Sequence, residues 1–290
     1  MDNIKAKVLL HVIDSGSLTK AAAAFGYTPS GVSHMISSIE QEVGFSLLVR
    51  TKTGVAPTSN AERLVPIIRA QCGWDEQFQQ TVSEINGLTC GTLNIAAYSS
   101  IASQWLPAVI GRFHRSYPDI RINLLEGVWQ EVSNYLSERR VELGFYSYQP
   151  SIRHHWIPLR NDPMVVAVPV DHPLASRTSV RLEELERETL IMPAYGLDVD
   201  VQNLFGNKKM DSQFTTLQNY SAFGLVEEGL GLVVTNELIT KGLNVKMKIL
   251  PFDPPRSIML GIAVPAEAEM MPAAARFIEC AKEVIRDGRI

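Results

Sequence analysis

The first 44 residues divide themselves into three short helices with almost no loop between them, and this punctuation restricts the N-terminal fold more than any other feature of the chain. Ile4, Val8, Leu9, Val12 and Ile13 recur at helical spacing and stop at Asp14-Ser15-Gly16. Ser17 is placed to cap a second helix, because its hydroxyl can accept from the unpaired amides of a first turn. That helix carries Ala21 to Ala24, side chains small enough for close helix packing, and Gly26 ends it. Thr28 caps a third helix with Pro29 at its first position, where a missing amide costs nothing. Val32, Met35, Ile36 and Ile39 form its buried face and Gly44 terminates it. Three short helices with a tight turn between the second and third make a helix-turn-helix.

Phe45 to Arg50 reads as a strand, Thr51 to Gly54 as a turn and Val55 to Thr58 as a return strand, so the helix-turn-helix is expected to carry a wing. Gly16-Ser17-Leu18-Thr19-Lys20-Ala21-Ala22, Tyr27-Thr28-Pro29-Ser30-Gly31-Val32-Ser33 and the run from Ile39 to Arg50 together resemble the signature of LysR-type transcriptional regulators, without a gap. The chain departs from the family pattern at Ile39, at Val49 and over Pro57 to Glu62, and at His34, Ser37 and Ser38 of the third helix, where Arg, Lys or Gln are common.

Groove geometry assigns roles within this module. The N-terminal part of the third helix is expected in the major groove of double-stranded DNA, with Ser30, Ser33 and His34 near base edges. Arg50 and Lys52 on the wing are expected to meet phosphates or an adjacent minor groove, and Ser17, Thr28, Pro29 and Ser37 complete the expected DNA-contacting set. Each residue also has a plainer role. Ser30 could serve only the helix start, Ser33 could be partly buried, His34 could be merely solvated, and Arg50 could pair with Glu40 or Glu42.

From Asn60 onward the apolar spacing changes. Leu64, Ile67, Gln71, Trp74, Phe78, Thr81, Ile85 and Leu88 are three and four residues apart in turn, a coiled-coil stripe that needs a partner, either a second chain or its own. Pro66 is tolerable only in the first turn of such a helix. The resemblance implies a dimerisation helix here, hence a homodimer through residues 60–88, a homotetramer built from it, and RNA polymerase as a further partner.

After Gly91, strand-like and helix-like segments alternate: Thr92–Tyr98, Leu106–Tyr117, Ile120–Glu126, Gln130–Arg139 and Glu142–Tyr148. The pattern resumes at Met164–Val170, Leu190–Pro193, Ser221–Glu228, Leu230–Thr235 and Ile258–Val264, and a helix runs from about Met271 to Ile285. This order predicts an α/β module of two Rossmann-like lobes, of the periplasmic-binding-protein type. The expected fold is therefore an all-α winged helix-turn-helix (1–58), a long linker helix (59–88) and an α/β effector domain (89–290). Lobe I covers about 91–161 and 266–290, and lobe II about 162–265. Asp171 to Ala175 and Glu228 to Leu232 carry the family resemblance to the end of the chain.

Ligands of open α/β sheets bind beyond the carboxyl ends of strands. Four such ends are expected to converge: Ser99, Ser100 and Ile101 after the first strand, Gly127, Val128 and Trp129 after the second, Tyr146 on the third, and Ala194 and Tyr195 in the second lobe, with Tyr220 nearby. Ser99 and Ser100 suit an anionic oxygen, with simple helix capping as the lesser alternative. Tyr98 and Tyr148 enlarge the aromatic collection, so a flat aromatic or phenolic, anionic effector is expected, with no cofactor and no metal.

At 290 residues, 46% hydrophobic and 20% charged, the chain fits a soluble two-module protein, and no apolar run approaches a membrane span. Its polar N-terminus lacks a signal peptide, which places it in the cytoplasm with no membrane contact. Net charge is −4, and Met1–Arg63 holds six Lys/Arg against five Asp/Glu, so charge alone does not indicate DNA. Cys72, Cys90 and Cys280 form neither a disulfide framework nor a zinc site, and thiol sensing is the lesser alternative. His154-His155 reads as a solvated loop rather than a metal site, and no catalytic motif stands out. The competing reading is a solute-binding protein or an enzyme built on the second module, which would have no use for the helix-turn-helix.

Overall fold

The computed structural model describes residues 2–51, 54–85, 90–206, 212–244, 246–265 and 270–286, without the side chains of Gln80 and Glu84. Lys52 and Leu88, named above, lie outside the described residues. The chain separates into two compact units, one comprising residues 1–91 with 137–140, the other 92–136 and 141–290.

In the first unit, α1 (Asn3–Ser15), α2 (Leu18–Phe25) and α3 (Pro29–Val43) precede the strands β1 (Leu48–Thr51) and β2 (Gly54–Pro57) and the long helix α4 (Ser59–Ile85). The caps stand where the sequence places them. Ser17 accepts from the Lys20 amide and Thr28 from the Gly31 amide, and Gly16, Gly26 and Gly44 close the three helices in the left-handed region. Val8, Leu9, Val12, Ala21, Val32, Ile39 and Leu47 form the core. β1 and β2 pair antiparallel, Leu48 opposite Pro57. The strand expected from Phe45 begins only at Leu48, because the Glu40 carboxylate ties down the amides of Leu47 and Leu48 at 2.7 and 3.2 Å. Gly54 anchors the hairpin to the α1–α2 turn: a Cβ there would stand 2.3 Å from the Gly16 carbonyl oxygen, to which Val55 donates.

Pro66 is a correction. It sits two turns inside α4 rather than in the first, so the Glu62 carbonyl loses its helical partner, and Pro66 and Glu62 are both exposed, where water can replace it. The stripe on α4 also divides. Ala61, Ile68 and Cys72, with Leu64 and Val65, pack into the core of the first unit. Lys7 pairs with Glu76 at 2.9 Å, Arg69 with Asp14, and Asn3 donates to Asp75 at 2.5 Å. Ile67, Trp74, Phe78 and Ile85 remain exposed on the other side.

In the second unit β3 (Gly91–Ala97), α5 (Ser99–Gln104), α6 (Leu106–Ser116), β4 (Ile120–Glu126), α7 (Trp129–Ser137) and β5 (Leu143–Ser147) build lobe I. β6 (His155–Pro169) leads into lobe II, which holds β7 (Ile191–Met192), α8 (Val199–Leu204), β8 (Phe214–Thr215), α9 (Asn219–Glu227), β9 (Val233–Asn236), α10 (Glu237–Thr240) and β10 (Met247–Pro251). β11 (Ser257–Val264) and α11 (Pro272–Arg286) return to lobe I. The main sheet runs β10-β6-β11-β5-β3-β4, with β9 also on β6. β3 and β5 are parallel, and β11 is antiparallel to both β5 and β6.

β6 is the spine of the domain. Its first half pairs with β11 and its second half with β9 and β10, so the chain crosses between lobes once along β6 and once between β10 and β11. The expected strand at Met164 is thus the second half of a longer one, concealed by Pro158 and Asn161-Asp162-Pro163. His155 opens β6 opposite Val264 instead of lying in a loop, and His154 is half-buried, which pushes its imidazole pKa down. No group of three metal-ligating residues occurs among the described residues, and no described helix is long and apolar enough to cross a membrane.

Candidate functional site

The third helix presents one exposed ridge. Ser30, Ser33, His34 and Ser37 follow i, i+3, i+4, i+7 spacing and are all exposed, while Val32, Ile36 and Ile39 occupy the opposite, buried side. Ser33 is therefore not withdrawn into the core. Ser30 shares its hydroxyl with Thr28 at 3.0 Å, so both residues belong to the helix start as well as to the ridge. Pro29 is exposed at the first helical position, and Ser17 is half-buried and committed to capping α2. Arg50 is exposed on β1, and Glu40 is occupied by the amides of Leu47 and Leu48 rather than by Arg50.

Between the two lobes of the second unit lies a cleft of about 910 Å³, part of it open to solvent. Lobe I contributes the ends of β3 and β4 with the starts of α5 and α7, and lobe II contributes the end of β7, the start of α8 and residues 217–219. Six expected residues line it: Ser99, Ser100, Gly127, Val128, Trp129 and Ala194. The Glu131 side chain folds over Gly127 to accept from the Val128 amide, and a Cβ at Gly127 would stand 2.9 Å from its carboxylate and push it aside. The Trp129 indole Nε1 is buried with no hydrogen-bond partner among the described residues.

Four expected residues are corrected. Ile101 is fully buried in the lobe I core, on the inner side of α5. Tyr146 is also fully buried, packed edge-on to Trp129, because alternation along β5 turns it toward α7; burial raises its hydroxyl pKa to about 12. Tyr195 and Tyr220 are 60% and 50% exposed and off the cleft wall. Ala194 and Tyr195 both adopt φ of 52°, an uncommon backbone for residues with a Cβ. This turn keeps Ala194 on the wall and Tyr195 outside it.

Sequence reasoning misses the polar centre of the cleft. Asp200, 8% exposed, accepts from Ser147 at 2.7 Å, Gln149 at 2.8 Å and Tyr98 at 3.2 Å, and Gln149 also accepts from Asn203 at 2.8 Å. These bonds join β3, β5 and the turn after it to α8, and so tie lobe I to lobe II. Burial, then the charge of Asp198, pushes the Asp200 carboxyl up to about 7. Burial also raises Asp198, which caps α8 by accepting from the amides of Asp200 and Val201. Deeper in the hinge, Asp162 on β6 accepts from Asn236 at 2.6 Å and from the Leu238 amide at 3.2 Å. Asp198-Val199-Asp200 is visible in the sequence as two carboxylates amid apolar residues just past the Tyr195 strand end, a signal that motif scanning passes over.

Glu126, Glu131, Asp198 and Asp200 line the cleft, and no Lys, Arg or His is among the described lining residues. All three cysteines are free, and burial raises the thiol pKa of Cys72 and Cys280, which makes both less reactive.

Two family descriptions match the chain: "Bacterial regulatory helix-turn-helix protein, lysR family" over residues 5–62, and "LysR substrate binding domain" over residues 86–286. A curated relative, the HTH-type transcriptional regulator YvbU of Bacillus subtilis (strain 168), is 30% identical over 283 residues, which cover 96% of this chain and 97% of the relative. Among solved structures, a full-length point variant of OxyR from Pseudomonas aeruginosa superposes with a TM-score of 0.72 at 20% identity, covering 99% of this chain and 98% of that one. Full-length CbnR complexed with its target DNA gives 0.68 at 16% identity, covering 98% and 99%.

Proposed function

Because the chain belongs to the LysR family of transcriptional regulators, we propose that it reads a dyad-symmetric DNA site through α3 and adjusts that binding to a small molecule held between its lobes. It is a DNA-binding transcriptional regulator with an effector-binding domain, not an enzyme. The observation that carries the reading is the exposed ridge Ser30, Ser33, His34 and Ser37 in a chain that also holds a two-lobed domain with a cleft.

Ser33, His34 and Ser37 contact base edges, Ser30, Thr28 and Pro29 set the start of the reading helix against the backbone, Ser17 supports the neighbouring helix start, and Arg50 and Lys52 meet phosphates. The units of function are residues 1–58, 59–88 and 89–290. The exposed face of α4 pairs with that of a second copy to form a homodimer, and dimers associate into tetramers that contact RNA polymerase. Residence with chromosomal DNA makes the protein cytoplasmic. The ligand keeps the flat aromatic body expected of it, since Tyr98 and Trp129 both line the cleft.

Effector binding and DNA binding are coupled, so each must change the affinity of the other by one common factor. The test is to select fragments of the source genome on the purified protein at near-physiological salt and footprint the tightest. A protected dyad of several helical turns, lost in Ser33→Ala or His34→Ala, is expected. Only weak, salt-erased association would overturn the reading.

A further inference from the structure

The cleft proposed above as the effector site carries a charge that its ligand must answer. Glu131 gives one carboxylate oxygen to the Val128 amide, and Asp200 has both oxygens engaged, by Ser147 and Gln149 on one and Tyr98 on the other. Asp198 uses one carboxylate oxygen for the α8 cap, and its other oxygen has no partner among the described residues. Arg256 lines the adjoining depression that shares Asp200, yet the hydrogen bonds of Asp200 go to lobe I instead.

We infer that the effector carries a cationic nitrogen, an ammonium or amidinium, set against Asp198 within the cleft walled by Trp129 and Tyr98. This inference rests on the reading of the cleft as the effector site, which stands on the cavity between the lobes; the carboxylates decide only the ligand's charge. An anion would add a like charge to partly desolvated carboxylates, and a neutral polyol would leave them uncompensated. A cation offsets them, and the aromatic faces of Trp129 and Tyr98 favour it further. It would also hold Asp200 ionised. Because that carboxyl sits near 7, cation binding at neutral pH releases a proton, and affinity rises as pH increases through 7. The groups facing Asp200 in that titration are Asp198 and Tyr98, with Arg256 across the adjoining depression.

The experiment titrates the full-length protein by calorimetry with three matched pairs of probes: phenethylamine and putrescine, their neutral counterparts 2-phenylethanol and 1,4-butanediol, and the anions phenylacetate and succinate. The expected result is that an ammonium probe binds at least about 10-fold tighter than its neutral counterpart, the scale of one hydrogen bond to a charged group. Asp198→Asn should abolish that preference without lowering the unliganded Tm, since the amide oxygen still caps α8. If a neutral or anionic probe binds more tightly than the ammonium, the cation inference fails and the cleft reading stands. If no probe of any charge binds into the millimolar range, both fall together.

Discussion

Asp200 is the residue at which the lobes are joined by charge as well as by packing. Its carboxyl, moved from 3.8 to about 7 mainly by burial and secondarily by Asp198, binds a proton in the folded protein at pH values where the unfolded chain has lost it. The sign follows directly. Above about pH 7 both states are ionised and the folded state bears the full cost of the buried charge. As pH falls from 7 toward 4 the folded state takes up a proton and that cost is relieved. The protein is therefore expected to gain stability between about pH 8 and pH 5.5, on the order of a few kcal/mol, read as a Tm higher by several degrees. Asp200→Asn should flatten the profile, whereas a wild-type Tm that falls over this range would contradict the assignment. The strand-end rule leads to Ser99, Ser100, Gly127, Val128, Trp129 and Ala194 because the chain must turn there whatever its side chains do. Tyr146, Tyr195 and Tyr220 escape it because a ring's direction depends on strand register and on a left-handed turn, neither of which composition encodes. Asp200 is hidden for a different reason: its partners Ser147 and Gln149 lie some fifty residues away and meet it only through the fold.

The elements themselves are more legible. Helix caps are local chemistry, so Ser17, Thr28-Pro29, Gly26 and Gly44 announce α2 and α3 almost to the residue. β6 reads as half its length because Pro158 and Pro163 resemble breakers, yet they sit where this long strand passes from one lobe's partners to the other's. The apolar stripe of α4 is visible too, but which of its residues face their own chain is not, since the first unit takes Leu64, Ile68 and Cys72 and leaves Ile67, Trp74, Phe78 and Ile85 to water at 64, 50, 63 and 79% exposure. Four large apolar side chains along one helix face are a strong argument for a second copy. Trp74→Asp combined with Phe78→Asp is expected to raise the dimer dissociation constant by about 100-fold or more, since buried aromatic anchors contribute about 2 kcal/mol or more each. Sedimentation velocity over a concentration series reads this. A double variant that sediments as wild type would mean that α4 is not the interface. The DNA-binding unit should stay folded in that variant, because neither residue belongs to its core.

At the scale of the whole molecule, a protein of net charge −4 must bind a polyanion. Of the six Lys and Arg in residues 1–63, Lys7 is held by Glu76, while Lys5 donates to the neutral Ser38 hydroxyl at 3.0 Å and keeps its charge. Besides Lys7, the sequence of this stretch holds Lys5, Lys20, Arg50, Lys52 and Arg63, five per protomer. Each phosphate neutralised by such a group contributes about 0.9 to the slope of log Kobs against log salt, so a dimer using all of them has a slope no steeper than roughly −9. The exposed ridge of α3 carries no Lys or Arg, and its hydroxyls act through hydrogen bonds that salt does not screen. Specific binding is thus expected to depend only moderately on salt, with Arg50→Ala on both protomers making the slope shallower by about 2 and leaving sequence preference intact. Fluorescence anisotropy on the footprinted operator, titrated from low to near-physiological sodium chloride, measures both quantities. A slope steeper than roughly −9 would require cations from beyond residue 63 to lie on the DNA, and the interface would then extend past α3 and the wing.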